Sequence, residues 1–135
     1  MAFSRVVVLY LLTIPVFLAV DAAWLGVVAP RFYGRHIGHL MAEGVNWAAA
    51  FGFYLLFIAG IVVLAVAPAV EKGSMARAVR AGALLGLVAY GTYDLTNLAT
   101  LRDWPLIVTV VDMIWGTILA GTVSAIGYWI AVRLG

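Results

Sequence analysis

The chain has 135 residues, of which 66% are hydrophobic and only 10% are charged, and its mean hydropathy is +1.12. A soluble domain of this size needs a surface in which roughly a quarter to a third of the residues are charged, so the composition excludes one. The net charge of +2 is too small for a nucleic-acid-binding surface, and the absence of cysteine excludes disulfides, thiolate nucleophiles and iron–sulfur clusters.

Four long apolar runs account for most of the chain, and they lie at about residues 6–29, 46–67, 78–101 and 105–132. Each run exceeds the ~20 residues that an α-helix needs to cross ~30 Å of hydrocarbon. The short alternating segments of transmembrane β-strands are not seen. The sequence therefore predicts an all-α, polytopic membrane protein whose residues 1–135 form one four-transmembrane-helix bundle in the lipid bilayer.

The limits of the spans are predicted from residues that end or cap helices. Because proline cannot continue a helix, we expect Pro30 to end the first span and Pro68 to end the second. Asn46 is expected to cap the second span through its side-chain oxygen, and Asp103 to cap the fourth.

The connection between the first two spans, residues 32–43, mixes aromatic, basic and apolar residues, which predicts an amphipathic helix lying in the membrane interface. Its lipid-facing side would carry Phe32, Tyr33, Ile37, Leu40 and Met41.

The same connection holds a candidate metal site. His36, His39 and Glu43 follow the spacing i, i+3, i+7, which would place them on one face of a helix. The alternative is that these polar side chains simply face the lipid headgroups. Two histidines outside the spans are too few for a di-iron centre or a transmembrane bis-histidine haem, so we expect no cofactor.

Basic residues predict the orientation of the chain. Five of the eight lysines and arginines lie on the side that carries both termini, and three lie on the other side. This modest positive-inside bias favours cytoplasmic N and C termini.

Three aspartates, Asp21, Asp94 and Asp112, interrupt the apolar runs. With a rise of 1.5 Å per residue, each lies ~10–12 Å below the non-cytoplasmic end of its span, so the three share a level. No lysine or arginine lies at that level, so at least one acid is expected to be protonated, to bind a cation or to accept hydrogen bonds. Helical spacing places further polar and aromatic side chains on the same faces: Trp24, Tyr90, Tyr93, Asn97 and Trp115. Tyr54 on the second span can contribute a hydroxyl.

Small residues predict which spans touch. The third span contains Gly82-x-x-x-Gly86, and the fourth contains Gly116-x-x-x-Ala120-x-x-x-Ser124. Small residues four apart allow helix backbones to approach closely in lipid, so we expect the third and fourth spans to pack tightly.

These residues lead to one main expectation and several alternatives. We expect a binding or transport protein in which Asp21, Asp94, Asn97 and Asp112 bind a cation, a proton or a small polar solute, as a homodimer or larger assembly if the solute is conducted. An enzyme acting on lipid or isoprenoid chains is an alternative, although no nucleophile is evident. Two further alternatives are an accessory subunit of a larger membrane complex and a hydrogen-bond network that only fixes helix packing.

The sequence resembles a family of small bacterial membrane proteins known as domain of unknown function 2177 (DUF2177). The resemblance covers essentially the whole chain and is carried by FY at 32–33, GHLM at 38–41, DAAWLG at 21–26, YGTYDLTNLATL at 90–101 and DMIWGT at 112–117. It implies a four-span protein of the bacterial inner membrane, and it implies no particular activity.

Overall fold

The computed structural model describes all 135 residues, and every regular element in it is helical. Four long helical stretches run between the two ends of the molecule. The first consists of α1 (Phe3–Ala23), a π-helical turn (Trp24–Val28), α2 (Ala29–Ile37) and a 3-10 turn (Gly38–Leu40). The second consists of α3 (Trp47–Gly60), a π-helical turn (Ile61–Val66) and α4 (Ala67–Glu71), and the last two are α5 (Met75–Thr100) and α6 (Leu106–Arg133). The predicted all-α architecture is confirmed.

Three of the four stretches are long and apolar enough to cross a membrane by length and composition: Phe3–Leu40, Trp47–Glu71 and Leu106–Arg133. The remaining helix, α5, has 26 residues and is therefore ~39 Å long, which also suffices to span a bilayer. Its polar residues make it less apolar than the other three, but it packs along α6 as part of the same bundle.

The threonines on the exposed face of α5 have their hydroxyl groups satisfied within the helix. Thr92 Oγ1 donates to the Val88 carbonyl at 2.6 Å, and Thr100 Oγ1 donates to the Thr96 carbonyl at 2.7 Å. A polar group that bonds to its own helix has no need of water, so these residues are compatible with a position facing lipid.

Neither Pro30 nor Pro68 ends a helix, and the prediction that they end their spans is wrong. Each lies in the first turn of an α-helix that follows a π-helical turn directly. Proline clashes with the carbonyl of the residue four positions earlier, which is Gly26 for Pro30 and Leu64 for Pro68. Both of these carbonyls lie in the π-helical turns, whose wider winding accommodates the ring, so each helix continues beyond its proline.

Of the two predicted helix caps, one is confirmed and the other is wrong. Asn46 caps α3 as predicted, because its side chain accepts a hydrogen bond of 3.1 Å from the backbone N–H of Ala49. Asp103 does not cap α6, since the residue at that position is Pro105 and no side chain bonds there. Asp103 instead turns the chain between α5 and α6 with a φ of 64°, a left-handed conformation that aspartate tolerates.

The predicted close packing of α5 against α6 is confirmed. A Cβ atom added to Gly82 would lie 2.7 Å from the Ala120 carbonyl oxygen, and one added to Gly86 would lie 2.7 Å from the Ala120 Cβ. The remaining core lies between α1, the second helical stretch and α6, where Leu9, Phe17, Ile58 and Leu119 are completely buried. At one end of this bundle, Arg5 Nη2 on α1 donates to the Ala131 carbonyl of α6 at 2.8 Å.

Candidate functional site

A cavity of about 670 Å³ lies between the helices at the end of the bundle opposite to the termini. Met41 and Trp104, which belong to the two connections at that end, line it together with residues from the long helices. Two acidic side chains reach it, Asp21 and Asp112. Its aromatic wall consists of Trp24, Tyr33, Phe53, Tyr54, Tyr90, Tyr93, Trp104 and Trp115.

Residues from both ends of the stretch between α1 and the 3-10 turn line this cavity. Ile37 is sixteen residues beyond Asp21, which would separate the two by ~24 Å on a straight helix, yet both line the same space. Tyr33, Leu40 and Met41 line it as well. The predicted amphipathic segment therefore exists, but it continues the first helical stretch, and four of the five side chains that we expected to face lipid cover the cavity instead.

Asp21, in the last turn of α1, accepts two hydrogen bonds from side chains of other helices. Tyr54 Oη on α3 donates to Oδ2 at 2.9 Å, and Trp115 Nε1 on α6 donates to Oδ1 at 3.3 Å. The carboxyl group is almost entirely buried, with 4% of the residue exposed. The expected contribution of the Tyr54 hydroxyl is confirmed, and one acid thereby joins three helices.

Asp112, on α6, accepts a hydrogen bond from the Tyr33 hydroxyl on α2. The same Tyr33 oxygen accepts a hydrogen bond of 3.3 Å from Trp24 Nε1. The Trp24 and Trp115 rings stack with their centroids 4.7 Å apart and their planes 8° apart. Asp21 and Trp24 have the same spacing along the chain as Asp112 and Trp115. Each tryptophan stabilises the acid of the other pair, Trp115 by donating to Asp21 directly and Trp24 by donating to Tyr33.

Asp94, on α5, differs from the other two acids. It is completely buried and does not line the cavity. No N–H or O–H group donates to either of its carboxyl oxygens. Asp94 therefore lies away from the open space.

The backbone around Asp94 is held by a separate chain of hydrogen bonds. Trp104 Nε1 donates to Thr109 Oγ1 at 3.0 Å, and Thr109 Oγ1 donates to the Asp94 carbonyl at 3.2 Å. Trp104 also packs edge-on against Tyr93 with a centroid distance of 5.7 Å. These contacts fix the last turns of α5 against the start of α6 and so set the position of the Asp94 side chain.

Asn97 does not reach the cavity, although it is half-buried. The structure thus brings six of the eight predicted ligand-binding residues to the cavity wall: Asp21, Trp24, Tyr90, Tyr93, Asp112 and Trp115. Asp94 and Asn97 lie outside it.

The predicted metal-binding set is not brought together. No group of three histidine, aspartate or glutamate side chains is placed to hold a metal ion. The reason is that α2 ends at Ile37, so His36, His39 and Glu43 do not continue along one α-helical face. Glu43 belongs to the irregular connection that precedes α3.

Tyr33 is the site residue that periodicity misses. It is twelve residues beyond Asp21, so an unbroken α-helix would place the two ~120° apart around the helix axis. The π-helical turn at Trp24–Val28 takes about one more residue per turn and so removes roughly 100° of that separation. A proline inside a long apolar run, such as Pro30, is the local signal that points to such a turn, because its ring clashes with a regular α-helical turn before it.

No cationic side chain lines the cavity, so the buried acids have no basic partner. The side chains around them can supply only hydroxyl and indole donors and the electron-rich faces of aromatic rings. Such a wall combines carboxyl groups with the electron-rich faces of aromatic rings and contains no positive charge of its own.

A family model described as "Predicted membrane protein (DUF2177)" matches residues 6–129. The chain belongs to the DUF2177 family. The match covers every residue of the cavity wall described above, from Asp21 to Trp115, so the site lies within the part of the chain that defines the family. No curated protein and no solved structure matches the chain.

Replacing Tyr33 with phenylalanine is expected to destabilise the folded protein by about 1–3 kcal/mol, because a buried carboxylate loses its hydroxyl donor. Trp24 Nε1 loses its acceptor in the same variant. The free energy of unfolding in detergent measures the effect, and Tyr128→Phe is the matched control, since no hydrogen bond involves the hydroxyl of this half-buried tyrosine. Equal stability of the two variants would show that the contact between Tyr33 and Asp112 contributes nothing.

Proposed function

We propose that this protein binds a small organic cation inside the membrane, in the cavity lined by Asp21 and Asp112. The observation that carries the proposal is the presence of two buried carboxyl groups on the wall of a 670 Å³ aromatic cavity that contains no basic side chain. A positively charged ligand would supply the missing countercharge, and the ring faces of the wall would add cation–π attraction.

The size of the cavity favours an organic cation over a proton or a metal ion. Small-molecule sites occupy ~300–1,000 Å³, and this cavity lies within that range. A hard metal ion needs six or more oxygen ligands at close range, whereas the wall offers two carboxyl groups. Three of their four oxygens already accept hydrogen bonds, from Tyr33, Tyr54 and Trp115. An amine or quaternary ammonium group needs only an anion nearby and aromatic faces around it.

The rest of the wall indicates an apolar part in the ligand. Leu25, Ile37, Leu40 and Met41 form its aliphatic portion. We therefore propose an amphipathic ligand whose ammonium group lies near the acids. The same aliphatic wall favours a second candidate function, the binding of an uncharged lipid or isoprenoid chain.

For the cellular setting we propose the inner membrane of a bacterium, with cytoplasmic termini. The distribution of basic residues supports this orientation. The cavity would then lie in the half of the membrane that faces away from the cytoplasm.

Two ligands of equal shape and different charge test the proposal. Benzyltrimethylammonium and its uncharged carbon isostere, neopentylbenzene, are titrated into the purified protein in detergent. The signal is the tryptophan fluorescence, since three of the five tryptophans, Trp24, Trp104 and Trp115, line the cavity. We expect the ammonium compound to bind at least about 10-fold more tightly, because cation–π and charge attraction together exceed ~1.4 kcal/mol at a desolvated site. Equal affinities would favour the second candidate, and binding of neither compound would contradict the proposed function.

A further inference from the structure

We propose that the cavity opens sideways to the lipid between α3 and α5, and that its ligand is a single-chain membrane amphiphile. The alkyl chain of this ligand would lie in the opening and its ammonium group at the acids. The part of the inference that concerns the ligand rests on the proposed function. The part that concerns the opening rests only on how the helices around the cavity contact one another.

Three of the four sides of the cavity are closed by contacts between neighbouring helices. The first helical stretch is joined to α3 by the hydrogen bond of 2.9 Å from Tyr54 to Asp21. It is joined to α6 by the hydrogen bond from Trp115 to Asp21 and by the stacked Trp24 and Trp115 rings. The side between α5 and α6 is closed by the close packing of these two helices.

The fourth side lies between α3 and α5, which contact each other at the border of the cavity nearer to the termini. There the Phe57 and Tyr90 ring centroids are 5.9 Å apart. Beyond this contact, toward the termini, the π-helical turn and α4 pack against α5. In the opposite direction, alongside the cavity, α3 makes almost no close approach to α5. The second helical stretch and α5 are therefore packed together below the cavity and separate beside it.

The side chains along this fourth side are small or exposed. Ala50 on α3 and Ala89 on α5 line the cavity with a methyl group each. Phe53 on α3 and Tyr93 on α5 also line it, yet 44% and 56% of these residues are exposed. Lining the cavity does not by itself give such exposure, since Trp104 lines it and is buried. Because this part of the bundle lies among lipids, the exposed aromatic side chains are available to an alkyl chain.

The charge of the cavity selects the occupant of the opening. Asp21 and Asp112 lie inside, and no basic side chain lines the space. A phospholipid would bring its phosphate group close to these acids, and like charges at close range repel. A long-chain amine or quaternary ammonium compound carries only positive charge at its head, and its chain can extend between α3 and α5 into the lipid.

Quenching of tryptophan fluorescence by lipids with brominated chains tests the opening without any ligand. Trp47 and Trp129 are exposed and do not line the cavity, so both are replaced by phenylalanine. The remaining tryptophans, Trp24, Trp104 and Trp115, all line it. In bilayers of brominated phospholipid this protein should fluoresce at least about twofold less than in unbrominated bilayers, because bromine quenches rings that the chains contact.

Ala50→Phe in the same background should reduce this quenching, because the added ring narrows the opening. Ala48→Phe is the matched control, since Ala48 is exposed on α3 and does not line the cavity. Absence of quenching before either substitution, or equal quenching in the two variants, would overturn the opening. If Ala50→Phe does not fold, the quenching of the background protein decides.

Two cations that differ only in chain length test the ligand, with calorimetric titration as the measurement. We expect octyltrimethylammonium to bind the wild-type protein at least about 10-fold more tightly than tetramethylammonium, because its methylenes are buried. Ala50→Phe should weaken octyltrimethylammonium binding at least about 10-fold and change tetramethylammonium binding less than about threefold, whereas Ala48→Phe should change neither.

The possible failures of this experiment have different meanings. Equal binding of the two cations to the wild-type protein, or an equal loss of both in Ala50→Phe, would overturn the alkyl-chain ligand and leave the proposed function standing. If the wild-type protein binds neither cation, the proposed function and the ligand both fail, and the result with brominated lipids still decides the opening.

Discussion

Gly86→Ala is expected to destabilise the protein by about 1–3 kcal/mol or more, which is the cost of inserting a methyl group into a packed interface. The added Cβ would lie 2.8 Å from the Gly116 carbonyl carbon and 2.7 Å from the Ala120 Cβ, and it would overlap the Gly116 carbonyl oxygen. Two of these three atoms belong to the backbone of α6, so no side-chain rotation relieves the contact. The two helices must separate.

This separation would also reach the site, because α5 carries Asp94 and Tyr90 whereas α6 carries Asp112. Gly86→Ala should therefore weaken binding of benzyltrimethylammonium as well as lower the free energy of unfolding in detergent. Gly52→Ala is the matched control, since a Cβ at Gly52 on α3 would meet nothing within 4 Å. In that exposed helical position alanine is favoured over glycine by ~1 kcal/mol at most. If the two variants are equally stable, the close approach of α5 and α6 does not contribute to folding.

The features that could be predicted from the sequence are those that depend on local pattern. Apolar length predicts the bundle, and glycines and other small residues spaced four apart predict the α5–α6 contact, because both are properties of a single helix. Counting residues along helices of known rise also predicts that Asp21 and Asp112 lie near each other, and both do line one cavity. Asn46 caps α3 for a similarly local reason, since the side chain bonds to a residue three positions later.

The features that could not be predicted depend on how a helix departs from regular winding. The rule that proline ends a helix assumes an α-helical turn before it, and at Pro30 and Pro68 that turn is π-helical. One extra residue in a turn shifts the register of everything that follows. Tyr33 therefore contacts Asp112, although regular spacing would direct it elsewhere.

The three aspartates cannot be distinguished from the sequence, because nothing in their spacing shows which of them accepts hydrogen bonds. That distinction arises from side chains on other helices: Tyr33 for Asp112, and Tyr54 with Trp115 for Asp21. The spacing i, i+3 between Asp94 and Asn97 placed both on one predicted stripe, yet neither of them lines the cavity. Shared helical faces indicate which residues lie near one another, but not which of them border an open space.

The unequal positions of the acids lead to the largest expected effect on binding. Asp112→Asn should weaken benzyltrimethylammonium binding by at least about 10-fold, since a pair of unit charges ~4 Å apart is worth ~4 kcal/mol at an effective dielectric constant of ~20. The fold should be retained, because the asparagine oxygen can still accept the hydrogen bond from Tyr33. Circular dichroism of the purified variant checks this retention, and the fluorescence titration measures the affinity.

Asp103→Asn is the control for a change of net charge at the same end of the bundle. Asp103 is exposed and has a φ of 64°, which asparagine also tolerates, so the variant loses one negative charge without altering the cavity. Because exposed charges are screened by solvent, Asp103→Asn should leave the affinity nearly unchanged. If both variants bind the ammonium compound equally well, Asp112 is not its counter-ion.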